Sequence, residues 1–382
     1  MPFAAALSEH PVTAFATGEV CGQVLERLGT HPDLAVVFVT LAHAGALEDV
    51  AAAVAEVLHP SVVLGAASDS IVGTGREVEG GAGISLWAGR FGPVLPVRIT
   101  AGDGGIEGIP GGVPFRPGAL VLVGDPFSVP VDDLLPAIAA AHPGLPVVGG
   151  MASGARGPGG TRLVLDGRVH TAGAVGALIG PGADVVPVVS QGCRPIGRPY
   201  VVTEGGGNII RELAGRPALE RLDDLAATLT ADEVRAINTG GLHLGRVVDE
   251  RKAEFGPGDF LVRQVLGGDR QTGAIAVNDT LEVGTTVQFH VRDAAAAHDD
   301  LEGLLARRAP DADPEAALLF TCNGRGRGLF GVPDHDADLL SQQIGPIPTA
   351  GLFAAGELGP VAGHNELHSY TASVLLLREH RD

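Results

Sequence analysis

Residues 320–373 read FTCNGRGRGLFGVPDHDADLLSQQIGPIPTAGLFAAGELGPVAGHNELHSYTAS. An apolar strand, Ala317–Phe320, runs straight into a turn of alternating Gly and Arg. Leu339, Leu340 and Ile344 then share one helical face, and Gly345 ends that helix. Ile347–Phe353 reads as a second strand entering the turn AAGELG, and Tyr370–Leu377 as a third. The order is β-α-β-β. A Gly-Arg turn at a strand end leaves backbone N–H groups free to converge beside a guanidinium, which suits an anion or a carboxylate. It also suits a plain surface turn.

The same order occurs twice upstream. Leu34–Val39 is a strand, Leu47 to Leu58 a helix stopped by Pro60, Val62–Gly65 a strand entering a small-residue turn, and Gly83–Ala88 another strand. Leu120–Val123, a helix marked by Leu134, Leu135, Ile138 and Ala141, Pro146–Gly150 and Gly173–Ile179 repeat it. Val39 to Gly65 and Val123 to Gly149 have the same spacing. Three copies would place His43, Asp125–Phe127 and Asn323–Arg327 at equivalent strand ends, where α/β sheets bind ligands.

Between the second and third copies the texture changes to alternating strands at Val185–Gln191, Tyr200–Thr203, Ile209–Glu212, Phe260–Leu266, Gly273–Val277 and Val287–Val291. Helices are expected at Pro217–Leu229 and Leu301–Ala306, and GCRPIG (192–197) reads as a stiff turn. The expected fold is therefore α/β and α+β. Repeated β-α-β-β units carry an inserted antiparallel β-rich region, in two interacting domains spanning 1–213 and 214–382.

With 382 residues, 45% of them hydrophobic, the chain has ample core. A net charge of −19 gives no overall attraction to nucleic acid or anionic lipid. Cys21, Cys193 and Cys322 are far apart, which fits neither a disulfide framework nor a paired metal site. The amino terminus lacks the pattern of a signal peptide, and no run is long enough to span a bilayer. A cytoplasmic protein without membrane insertion is expected. No GxGxxG in a βαβ frame, GK[ST] loop, HExxH or GxSxG is present, so no cofactor or metal is expected.

Arg325 and Arg327 read equally as a carboxylate clamp and as a structural turn, with Asn323 beside them. Glu357 would take a ligand ammonium group, or pair with one of those arginines. Asn365 and His368 would complete a polar rim. Arg194 would enter the same pocket, or pin the domains together through Asp125 or Asp293. Cys322 reads first as a small buried hydrophobe and alternatively as a thiol nucleophile with His368 as its base.

The segments SQGCRPIGRPYVVT (190–203), FLVRQVLGGD (260–269), VQFHVRD (287–293), LLFTCNGRG (318–326) and LFAAGELGPVAGHNELHSYTAS (352–373) together resemble the FIST family, over about Leu34 to Leu377. The resemblance implies paired FIST-N and FIST-C domains and an intracellular sensory role in bacterial signal transduction. The ligand would be an amino acid or other small polar carboxylate in an interdomain cleft, and the output would pass to a separate signalling protein. The alternatives are a Cys322-dependent thiol enzyme and a protein-binding adaptor without a ligand.

Overall fold

The computed structural model of the chain describes residues 2–102, 104–252, 254–256 and 258–381, with the backbone alone for 309–311. It divides into two compact units. The first comprises 1–189, 301–367 and 371–382; the second comprises 190–300 and 368–370. The second unit begins at Ser190.

The three repeats are present, all in the first unit, and share one topology. In each, the first strand lies between a parallel second strand and an antiparallel third. Leu34–Thr40 pairs with Val62–Ser68 and Ile84–Gly89. Ala119–Gly124 pairs with Val147–Ala152 and Ala174–Ile179. Ala316–Cys322 pairs with Thr349–Val361 and Ala372–Glu379. Gly65, Gly149 and Gly351 each face a residue of the parallel first strand, and a Cβ there would overlap the carbonyl oxygen of Val37, Leu122 or Leu319 respectively. These glycines fix the equivalence of the copies. They also correct the spacing read from sequence. Gly65 pairs with Val37 and Gly149 with Leu122, so the second crossover is one residue shorter than the first.

The first copy belongs to a six-stranded sheet, to which the unforeseen strand Phe3–Ser8 adds an edge. The second and third copies join edge to edge, Val147–Ala152 antiparallel to Thr349–Val361, in a twelve-stranded sheet. The two sheets face each other across one apolar core. Val36, Phe38, Leu64 and Trp87 come from the first sheet, and Val121, Val148, Phe320 and Leu352 from the second. Phe38 and Phe320 meet edge to face at 6.0 Å. The outer faces of the strands are covered by helices. Thr13–Leu28 and Leu47–Leu58 pack on Val37 and Val39; Val131–Ala141 packs on Leu120 and Leu122; His335–Ile344 packs on Leu319. Strands covered on both faces need no polar alternation, which is why they read as continuous apolar runs.

The segment 65–75, read as a turn, holds part of a hairpin. Ser70–Gly73 pairs with Arg76–Glu79 and adds to Thr349–Val361 of the third copy.

The second unit is a seven-stranded antiparallel sheet in the order 193–206, 286–292, 242–247, 260–269, 274–277, 209–213, 216–217. An added pairing of 193–206 with 209–213 closes it on itself around Ile196, Val202, Ile210, Leu244 and Phe289. Closure removes exposed edges. GCRPIG is not a free turn: Cys193 to Ile196 pair with Arg292 to Phe289, and the irregularity follows at Gly197, with φ of +63°. A helix at Ala231–Gly240 escaped the sequence reading, although Thr230 and Glu233 form a capping box. Among the described residues no helix is long and apolar enough to cross a membrane.

Candidate functional site

The strand Ala316–Cys322 is buried throughout until Cys322, which is half-buried, and Asn323, which is exposed. Three backbone bonds hold the chain as it leaves the sheet. Cys322 N–H donates to the Thr371 carbonyl at 2.9 Å, Asn323 N–H to Ala354 at 2.9 Å and Arg325 N–H to Cys322 at 2.8 Å. This fold-back turns Arg325 inward. Arg325 is 1% exposed, and it precedes Gly326, which takes φ of +65° and lies against the Glu79 carboxylate.

Arg325 meets Asp336, in the first turn of helix His335–Ile344, through Nε to Oδ2 at 2.7 Å and Nη2 to Oδ1 at 2.8 Å. Thr321 Oγ1 donates to Asp336 Oδ2 at 2.5 Å, and His335 Nδ1 lies 2.9 Å from Oδ1. Burial alone would lower the guanidinium pKa and raise the carboxyl pKa. The pair reverses both, holding Arg325 above and Asp336 well below its ordinary range. Nη1 of Arg325 is buried with no hydrogen-bond partner.

Glu357 comes from the neighbouring strand, opposite Gly150 in the seam between the second and third copies. It is fully buried. Its Oε2 accepts from Thr371 N–H at 3.1 Å and Thr371 Oγ1 at 2.8 Å, while Oε1 is buried without a partner. Burial pushes its pKa up to about 8, against the opposing pull of Thr371, the Arg325 charge and a hydrogen bond with the Cys322 thiol. At neutral pH burial therefore favours the protonated form of Glu357. Gly324 N–H approaches Cys322 Sγ at 3.4 Å.

A third acid arrives from the first copy. Glu77, in the strand Arg76–Glu79, accepts from the N–H groups of Asp336 and Ala337 at the helix N-terminus. Burial and the Asp336 charge raise its pKa to about 8. Glu79, two residues further along that strand, accepts from Arg327 N–H at 3.1 Å.

Of the residues expected from sequence, Cys322, Arg325 and Glu357 come together here. Arg327 is exposed and lies 3.9 Å from Glu79. Asn365 is not part of the cluster: its amide accepts from Val147 N–H at 2.9 Å and donates to the Leu145 carbonyl at 2.8 Å, fastening the start of a strand. Arg194 is engaged within the second unit, by Asp293 at 2.7 Å and Glu233 at 3.2 Å. His368 is buried and groups with the second unit. At the two other strand ends, Asp125 is satisfied by Ser128 and Thr161, and His43 meets Thr13 Oγ1 at 2.9 Å.

Sequence reading missed Thr321, Asp336, Thr371, Glu77 and Glu79. Asp336 sat in plain view at the helix start, where acids are favoured. The alternation Arg-Glu-Val-Glu at 76–79 was a strand signal. Its destination was not legible. Among the described residues no group of three or more His, Cys, Asp and Glu side chains is placed to hold a metal ion.

Residues 33–216 match the family model described as FIST N domain, and residues 218–360 the one described as FIST C domain. An uncharacterized protein of Mycobacterium tuberculosis strain H37Rv is 43% identical over 97% of this chain and 98% of its own length. One of Mycobacterium bovis is 43% identical over 94% of this chain and 95% of its own.

Proposed function

This chain belongs to the FIST family, and we propose on that premise that it is a cytoplasmic sensor of signal transduction. Its stimulus is a small polar molecule bearing a carboxylate, an amino acid being the simplest case, and its output passes to a partner protein. One observation carries the ligand class. Arg325 Nη1 and Glu357 Oε1 are both buried and both lack a partner, and both residues interact with the part-exposed Cys322. An unmet buried donor or acceptor costs about 1–3 kcal/mol, so native proteins keep few of them. A ligand carboxylate satisfies the guanidinium. A ligand ammonium satisfies Glu357, once that acid has lost its proton.

The last point makes the reading testable. A cationic group beside Glu357 draws its pKa back down, so an amino acid binds with release of a proton near neutral pH. A thermal-shift screen against amino acids and small carboxylates finds the ligand; saturation a hundredfold above its dissociation constant adds about 2.7 kcal/mol. Calorimetry in two buffers of different ionisation enthalpy then reads the proton. Glu357→Gln keeps the volume and abolishes the release. A ligand that binds the variant with unchanged affinity and the same proton count places recognition elsewhere.

A further inference from the structure

The same cluster supports a chemistry that does not need the amino-acid ligand. Cys322 is the part-exposed member of a group whose other members are closed to solvent. Several neighbouring groups bear on its sulfur. Gly324 N–H points at it from the turn. The Glu357 carboxyl hydrogen-bonds with it. The Arg325 charge, oriented by Asp336, acts on it as well. A thiol becomes nucleophilic when it loses its proton, and an adjacent base and fixed positive charge promote that loss. The neighbours hold the two unoccupied hydrogen-bonding atoms of the cluster, a donor on Arg325 and an acceptor or acid on Glu357. Both are needed when a neutral oxygen compound is cleaved next to sulfur: one to take and return a proton, the other to bind the oxygen that gains charge.

We propose that Cys322 is a hydroperoxide-reactive thiol, with Glu357 as its proton acceptor and donor and Arg325 as the hydrogen-bond donor to the peroxide. Sγ attacks the terminal oxygen of ROOH while the Cys322 proton passes to one oxygen of the protonated Glu357 carboxyl. The S–O bond forms and the O–O bond breaks. The proton already held on the other oxygen of that carboxyl passes to the departing oxygen, which leaves as ROH, or as water when R is hydrogen, so Glu357 ends the step protonated as it began. Cys322 is oxidised by two electrons to the sulfenic acid, and the peroxide is reduced by two. Arg325 Nη1 donates to the departing oxygen while it carries negative charge. Burial raises the Glu357 pKa to about 8, so the carboxyl keeps the acid form that the relay needs between pH 6 and 7.5. Cys21 is buried in the helical layer, its pKa pushed up to about 11 by burial, and Cys193 is in the second unit. The product is the Cys322 sulfenic acid.

The test uses the full chain, hydrogen peroxide as the probe and dimedone as the trap, with adduct position read by peptide mass mapping. Folded wild-type protein is expected to trap at Cys322 at least tenfold faster than the same cysteine in urea. Cys322→Ser gives no adduct at that site, and Glu357→Gln, if folded by circular dichroism, slows trapping at least tenfold. Equal rates in folded and unfolded chain, or an unchanged rate in folded Glu357→Gln, would overturn the proposal. If that variant does not fold, the wild-type pH profile decides. An unassisted thiol loses about tenfold in rate per pH unit below its pKa. Assisted transfer keeps the rate within about threefold between pH 6 and 7.5, and a tenfold-per-unit fall across that range overturns it.

Discussion

The Glu77 carboxylate accepts hydrogen bonds from the backbone N–H groups of Asp336 and Ala337, at 3.0 and 3.1 Å, across a separation of 259 and 260 residues. Helix His335–Ile344 has no side-chain cap of its own: the residue before it, Asp334, sits at φ of +62° and instead accepts from Glu77 N–H at 2.7 Å. The first copy thus caps a helix of the third, next to the ion pair that orients Arg325.

Removing that cap should loosen the site from a distance. Glu77→Ala is expected to cost about 1–2 kcal/mol, measured by urea unfolding, with faster amide exchange at residues 336 and 337. Glu77→Gln retains a carbonyl acceptor and should cost less than half as much. Equal losses in the two variants would show that the charge, not the capping bond, matters.

The Arg325–Asp336 pair makes a sharper prediction. Both side chains are fully buried, so deleting one partner leaves an uncompensated charge. Arg325→Met and Asp336→Leu are each expected to cost about 3–5 kcal/mol, and the double variant less than their sum. A double-mutant cycle by chemical denaturation reads the coupling. Simple additivity would mean that the charges do not depend on each other.

Stability should fall with rising pH through a defined window. Glu77 and Glu357 have folded-state pKa values of about 8, against about 4.3 for an unperturbed glutamate. Below about pH 4.3 both states hold the proton. Between there and pH 8 the unfolded chain releases it and the folded chain does not, so the folded state loses up to about 1.4 kcal/mol per pH unit for each acid. Asp336 acts in the opposite sense, its contribution being lost as the pH falls below about 3.9. Unfolding temperature measured from pH 5 to 8 should decline in the wild type and decline less in Glu357→Gln. Parallel curves would show that Glu357 ionises normally.

The repeated glycines can be tested against a neutral neighbour. At Gly351 a Cβ would overlap the Leu319 carbonyl oxygen, whereas at Gly22, inside helix Thr13–Leu28, nothing lies within 4 Å. Gly351→Ala is expected to destabilise by 3 kcal/mol or more, roughly the scale of overpacking. Gly22→Ala should stabilise by about 0.5–1 kcal/mol through helix propensity alone. Thermal unfolding of the two variants decides it.

Much of the fold was legible because each repeat is built from local signals. Apolar runs such as Leu34–Val39 are strands because both their faces are covered, and Leu339, Leu340 and Ile344 mark a helix by period. The polar turn at 322–328 was likewise visible as glycines and arginines after an apolar strand. What misled was local polarity without its partner. Asn365 looked like a rim residue and instead ties down Leu145 and Val147. GCRPIG looked like a turn because Pro and Gly punctuate it, yet pairing with Phe289–Arg292 draws four of its residues into a strand.

The sequence alone therefore determined the three β-α-β-β units, the inserted β-rich region and the presence of Cys322, Arg325 and Glu357 near strand ends. Only the tertiary structure decided what those side chains meet. Arg325 is spent on Asp336, Glu357 is neutralised by burial, and Glu77 and Glu79 arrive from the hairpin that ends at Glu79. The physical reason is range. Periodicity and capping act over a few residues and are written in adjacent letters, whereas desolvation and charge pairing depend on which distant strands share a layer.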